Sequence, residues 1–154
     1  MTTWVYDDGG RAAAGFRGVT GDCVVRAVAI ATQLPYQRVY DDLNALGLAA
    51  WEGRSARQRG HDARSSRRRS QSRTGVERAV YEPYLAHLGF RWTPTMSIGA
   101  GTTVHLRADE LLPGRLVVAV SGHLVAVVDG VVHDLDDPSR GGTRCVYGYY
   151  RREP

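Results

Sequence analysis

Cys23 stands behind Thr20-Gly21-Asp22 and opens an apolar, Ala-rich run that continues to Gln33. The length and Ala content of residues 22–33 predict a buried helix rather than a strand. Thr20 or Asp22 is placed to cap it. A thiol at a helix start faces unpaired N–H groups and the positive end of the macrodipole, and both favour the thiolate. The same N–H groups can hold a developing oxyanion. A free cysteine is more often a small apolar residue, so the position of Cys23 gains chemical meaning only from a base beside it.

His123 is the candidate base. It follows Ser121-Gly122 and opens the apolar strand 123–128. Asp129-Gly130 is a strong two-residue hairpin signal, with 131–135 as the returning strand. Such a turn pairs Val128 with Val131. Continued, that register sets His123 opposite Asp136, with Asp134 diagonal on the same face. A carboxylate beside an imidazole holds its tautomer and stabilises its cation. Cys23, His123 and either Asp134 or Asp136 therefore make up the set that activates a thiol for nucleophilic attack. Asp137 and His133 alternate to the other face unless a bulge shifts the register. His61, His87 and His105 read as surface or half-buried positions. Cys145 reads as a strand residue, and Trp4, Trp51 and Trp92 as core and sheet aromatics. No His/Cys/Asp/Glu group has zinc spacing, and Gly99-Ala-Gly101-Thr-Thr lacks the Lys of a phosphate loop. No metal or cofactor is expected.

The elements that must position these residues follow from periodicity. Pro35 is suited to a first helical position. Tyr36, Val39, Tyr40, Leu43 and Leu46 then recur at helical spacing, with Gly47 as a stop. A third helical stretch is expected over 76–88, although Pro83 weakens its first half. After Gly89 the period changes. Strands are expected at 90–93, 103–106, 115–120, 123–128, 131–135 and 144–150, with a helical turn at 108–112. Helices first and an antiparallel sheet after them argue for an α+β fold in a single domain over 1–154.

The 20 basic residues are all Arg, as a GC-rich coding sequence would produce, and the formal net charge is +4. Residues 52–75 hold eight of them against Glu52 and Asp62, a net of +6, so the rest of the chain is slightly acidic. This segment has almost no apolar residue to bury, which predicts an exposed insertion, mobile on its own. Its arginines, Arg54 to Arg73, could also form an arm for nucleic acid or an acidic protein. No apolar run reaches the length of a membrane span, and the N-terminus does not read as a signal peptide. Two cysteines make no disulfide framework. The default compartment is therefore the reducing cytoplasm.

Gly21-Asp22-Cys23 before an Ala-rich helix, then Gly122-His123-Leu-Val-Ala-Val-Val-Asp-Gly130, then Val132-His-Asp134-Leu-Asp136-Asp137-Pro138 resemble the motifs of papain-like cysteine peptidases. The likeness is to the smaller microbial and phage-encoded forms, including the bacteriocin-processing peptidases. It covers residues 20–46 and 115–150 and leaves 50–75 outside. The resemblance implies a papain-like layout, a peptide or protein substrate and, for a phage protein, the host cytoplasm. It implies Cys23 as nucleophile, His123 as base and then acid, and Asp134 or Asp136 as the orienting acid. The family places a Gln a few residues before the nucleophile as an oxyanion donor. Here that position is Arg17, and no Gln precedes Cys23. Arg17, Thr20 or backbone N–H groups are left for that role. The expected function is thiol-dependent hydrolysis or acyl transfer at an amide, ester or isopeptide bond. The alternative is a non-catalytic binding module that uses the Arg-rich segment.

Overall fold

A computed structural model describes residues 3–64, 69–97, 101–102 and 104–153. In chain order the elements are β1 (Thr3–Tyr6), α1 (Cys23–Thr32), α2 (Tyr36–Glu52), α3 (Ala56–Arg64), α4 (Arg78–His87), β2 (Phe90–Pro94), β3 (Met96–Ser97), β4 (Gly101–Thr102), β5 (Arg115–Val120), β6 (His123–Val128), β7 (Val131–Asp134) and β8 (Gly148–Arg152). The fold is α+β. Six strands form one sheet in the order β1-β7-β6-β5-β8-β2, and β3 pairs with β4 separately.

The sheet corrects one expectation: it is mixed rather than wholly antiparallel. β1 comes from the N-terminus and adds to β7 in parallel, pairing Trp4 with Val132 and Tyr6 with Asp134. The other pairings in the large sheet are antiparallel. β1 is exposed along its whole length, so it carries no inward apolar stripe by which periodicity could reveal it.

Both faces of the sheet are covered, which explains the near-continuous apolar runs of β5 and β6. One face packs Val117, Leu124 and Ala126 against α1, α2 and α4 through residues such as Val28, Leu43 and Leu85. The other packs Leu116, Val118, Val125 and Val127 under Leu106 and Val146. Asp129 and Gly130 both take positive φ, 49° and 80°, as a two-residue hairpin turn requires. Val128 pairs with Val131 as the turn dictates.

Several boundaries differ from the expectation for physical reasons. Gly47 does not stop α2, which runs on to Glu52. Its hydrogen faces Ser70, and a Cβ there would lie 2.3 Å from the Ser70 carbonyl oxygen. Pro83 sits inside α4 without ending it. Buried Val80, Tyr84 and Leu85 on that helix outweigh one lost backbone bond. Residues 144–147 precede β8 rather than belong to it, and Cys145 is exposed in an isolated bridge with His105. The expected strand at 103–106 is reduced to that bridge, with Thr103 outside the described residues.

The basic segment is not one exposed loop. Residues 56–64 form α3, and residues 65–68, including Arg67 and Arg68, lie outside the described residues. From residue 69 the chain rejoins the folded body. Ser70 and Ser72 are buried. The Ser72 hydroxyl donates to the Tyr40 carbonyl at 2.6 Å, and its N–H donates to the Asn44 side chain at 2.8 Å. Arg54 pairs with Glu77 at 2.7 Å. No helix among the described residues is long and apolar enough to cross a membrane.

Candidate active site

Cys23 is the first residue of α1 and is half-buried. The turn before it is held from across the chain. The Gly21 N–H donates to the Arg73 carbonyl at 2.7 Å, and the Thr20 hydroxyl donates to the same oxygen at 3.1 Å. Any side chain at 21 would press on the Thr74 carbonyl, 3.1 Å from a Cβ. Asp22 occupies the N-cap position, but its carboxylate makes no capping hydrogen bond. It turns inward to accept from Arg26 Nη1 at 2.6 Å and from the Tyr36 hydroxyl at 2.6 Å. The N–H groups of the first turn of α1 therefore lack the side-chain acceptor that a capping residue supplies.

β6 begins at His123, beside the start of α1. His123 Nε2 lies 2.7 Å from Asp134 Oδ2. Cys23 and His123 line the same two concave spaces, and the imidazole is close enough to lower the thiol. With Nε2 engaged by Asp134, Nδ1 is the nitrogen left for sulfur. Asp134, the last residue of β7, is buried, and its other oxygen accepts from the Leu135 N–H at 2.8 Å and from Arg26 Nη2 at 3.3 Å.

The structure thus brings together Cys23, His123 and Asp134, and leaves Asp136 exposed and outside this array. The β6–β7 ladder stops at the Ala126–His133 pair, so the register that would oppose His123 to Asp136 is not continued. Strand twist favours one diagonal neighbour over the directly opposed position. Asp137 instead accepts from the Ser139 N–H at 2.9 Å.

The electrostatics follow from these contacts. Burial pushes the Cys23 thiol up and is the largest single effect. Hydrogen bonds with His123 and the Leu124 backbone, and the charges of His123 and Arg26, outweigh it, so the thiol lies below its ordinary value. His123 is raised from 6.5 to about 9, first by the hydrogen bond to Asp134 and then by that to Cys23, against burial. Burial also pushes Asp134 up, but the His123 hydrogen bond and charge, the Leu135 N–H and Arg26 together hold it below the usual carboxylate range. A lowered thiol beside a raised imidazole is the condition for a thiolate–imidazolium pair.

Two concave spaces meet at this pair. One, of about 320 Å³, is lined by Tyr81, Trp92, Ala119, Val120 and Tyr147 beside Cys23 and His123. The other, of about 440 Å³, is lined by Thr20, Gly21, Thr74 and Gly75. The thiol therefore faces an aromatic space on one side and, on the other, a space bounded by the Thr20–Asp22 turn and the 74–76 strip. A larger space of about 630 Å³ lies between α2 and α4, among Leu46, Ala50, Pro83 and His87, away from any paired nucleophile and base.

Two of the remaining histidines are paired with carboxylates. His133 Nδ1 lies 2.8 Å from Asp7 Oδ2, and His105 Nδ1 lies 3.2 Å from Glu110 Oε1. Arg17 is exposed, and its carbonyl accepts from Arg73 at 3.0 Å. Thr20 lines the groove beside Cys23. Among the described residues no group of His, Cys, Asp and Glu could hold a metal ion. Sequence reasoning missed Asp22, Arg26 and Tyr36 as parts of one buried array, and missed residues 73–74 as its support. One signal was present: Asp22 and Arg26, four residues apart, are the charged pair flanking an otherwise apolar helix start. No family model, curated protein or solved structure matches the chain.

Proposed function

We propose that the chain is a thiol-dependent hydrolase or acyl transferase of papain-like type, acting on an amide, ester or isopeptide bond of a peptide or protein. The observation that carries this reading is the His123–Asp134 pair set beside Cys23, in one groove, at the start of an uncapped helix.

The chemistry follows from where the protons sit. The Cys23 thiolate attacks the carbonyl carbon, forming a C–S bond while the carbonyl electrons move to oxygen. That oxyanion is accepted by N–H groups at the start of α1, with Cys23 N–H the nearest by position. The His123 imidazolium gives its proton to the leaving amine or alkoxide as the carbon–heteroatom bond breaks. Neutral His123 then takes a proton from water, or from an acceptor nucleophile, which attacks the thioester carbon; the C–S bond breaks and the thiolate–imidazolium pair is restored. Asp134 holds the ring tautomer and stabilises the cation throughout. These steps use the chain's own groups and need no cofactor. Two free cysteines suit a reducing cytoplasm, the host's if the chain is phage-encoded.

The test is a thiol-directed electrophilic probe with peptide mapping. Labelling is expected at Cys23 in preference to exposed Cys145, to be lost in Cys23→Ala, and to fall by about 10²–10⁴-fold in His123→Ala. Equal labelling of the two cysteines would reject the reading. It would leave the binding module, with the arginines of 52–75 contacting nucleic acid or an acidic protein, as the better account.

A further inference from the structure

Arg26 is the one charged residue within α1, Cys23–Thr32, and it is buried, with its side chain 9% exposed. Packing gives no reason for a guanidinium there, because burying an ion is costly and an apolar side chain of similar volume often serves as well. Its contacts point elsewhere. Nη1 donates to Asp22 Oδ1 at 2.6 Å, and Nη2 reaches Asp134 Oδ1 at 3.3 Å. Asp22 is held in turn by the Tyr36 hydroxyl, and Arg11 Nε lies 3.7 Å from Asp22 Oδ2. A series of contacts thus runs Tyr36, Asp22, Arg26, Asp134, His123, buried as far as Asp134 and ending at a half-buried imidazole beside Cys23.

We propose that Arg26, braced by Asp22 and Tyr36, is a positioning residue for the reactive pair, which holds Asp134 with Oδ2 turned to His123. The inference rests on the reading of Cys23 as nucleophile. The two oxygens of Asp134 have separate duties. Oδ1 is taken by the Leu135 N–H and Arg26, which leaves Oδ2 for the imidazole. Alone, the guanidinium would draw the carboxylate's charge away from His123. Asp22 offsets this, because it shares the same cation from the other side. Arg26 also lies one helical turn from Cys23 and is among the charges that lower the thiol.

Other charged and titratable groups face this series from each packed element. Tyr81 on α4 responds to Cys23, and Arg78 lines the groove. Arg144, from the segment before β8, responds to Asp134 and Arg140. None of these side chains is hydrogen-bonded to Asp134 or His123 as Arg26 and Asp134 are to each other.

The experiment compares the pH dependence of iodoacetamide alkylation at Cys23, with Cys145 as internal reference, in wild type, Arg26→Gln, Arg26→Lys and Asp22→Asn/Arg26→Gln. Loss of the clamp on Asp134 is expected to weaken the His123 cation and so raise the Cys23 half-point by about one pH unit, hence about 10-fold slower alkylation below it. The double variant should behave like Arg26→Gln, and Arg26→Lys should restore much of the wild-type half-point. A purely structural role would lower the melting temperature without moving the half-point. A folded Arg26→Gln protein with the wild-type half-point therefore overturns the proposal. If Arg26→Gln does not fold, the double variant removes both buried charges and carries the same reading. If neither folds, the guanidinium NMR signals of Arg26 in the wild type should shift as Cys23 titrates, and unshifted signals overturn the proposal. Wild-type Cys23 alkylating no faster than Cys145 would instead reject the proposed function itself.

Discussion

On the proposed reading, the ionisation of Cys23 and His123 would set the pH range over which the site works. The thiol is lowered and the imidazole is raised to about 9, and both shifts favour an anionic sulfur beside a cationic ring. Alkylation of Cys23 should rise with pH through the lowered thiol value and stay high above it. Turnover of an amide should behave differently, falling as pH rises through about 9, because the imidazolium that protonates the leaving amine is lost. Asp134→Asn removes the largest contribution to the raised imidazole. In that variant the cation weakens, the thiolate loses its partner, and the alkylation half-point moves up. The loss at neutral pH should be about 10-fold or more, read from iodoacetamide kinetics. Asp136→Asn, at an exposed residue outside the array, should leave the same profile unchanged.

At the scale of elements, the site depends on where α1 starts and where β6 starts. The turn before α1 is anchored by residues 73–74, and that strip is anchored by α2 through Ser72, Tyr40 and Asn44. α2 can approach so closely only because position 47 lacks a side chain. Gly47→Ala would force a Cβ to 2.3 Å from the Ser70 carbonyl oxygen. Although Ala is the better helix former, overpacking should dominate, with a loss of about 1–3 kcal/mol in thermal or urea unfolding. Slower labelling of Cys23 should accompany it as the 70–75 strip shifts. Deleting residues 69–75 should abolish both fold and labelling. Gly47 reads in the sequence as a helix stop because glycine's conformational freedom and its small size leave the same mark there. Only the neighbour, 23 residues away in the chain, separates the two meanings.

Across the whole molecule, charge is segregated: a net of +6 within 52–75 against a slightly acidic remainder. Arg57 and Arg69 are exposed in that region. Retention on an immobilised polyanion should therefore weaken steeply as salt shortens the Debye length from about 10 Å at 0.1 M. Arg57→Glu/Arg69→Glu should reduce it further, with a change in stability within about 0.5 kcal/mol, as is usual at exposed positions. Chromatography on heparin at graded salt, beside thermal melts, checks both. Retention that is independent of salt would show that apolar contacts, not this charge, govern it.

The sequence by itself determined the parts that depend on local rules. Apolar runs set β5, β6 and α1, Asp129-Gly130 set the hairpin and its register, and Cys23 and His123 stood out by residue type and place. These follow from periodicity and turn chemistry, which act over a few residues. Tertiary structure alone decided the rest. It chose Asp134 over Asp136, because twist and the end of the β6–β7 ladder set the diagonal contact. It added exposed β1 in parallel at the sheet edge, where no inward stripe marks it. It divided the basic segment into α3 and a buried strip, since Ser70 and Ser72 find their partners on α2 and near α4 rather than among their neighbours. And it drew Asp22 away from the helix cap to Arg26 and Tyr36, because a buried carboxylate goes to the strongest donors within reach, and only the folded chain brings those donors there.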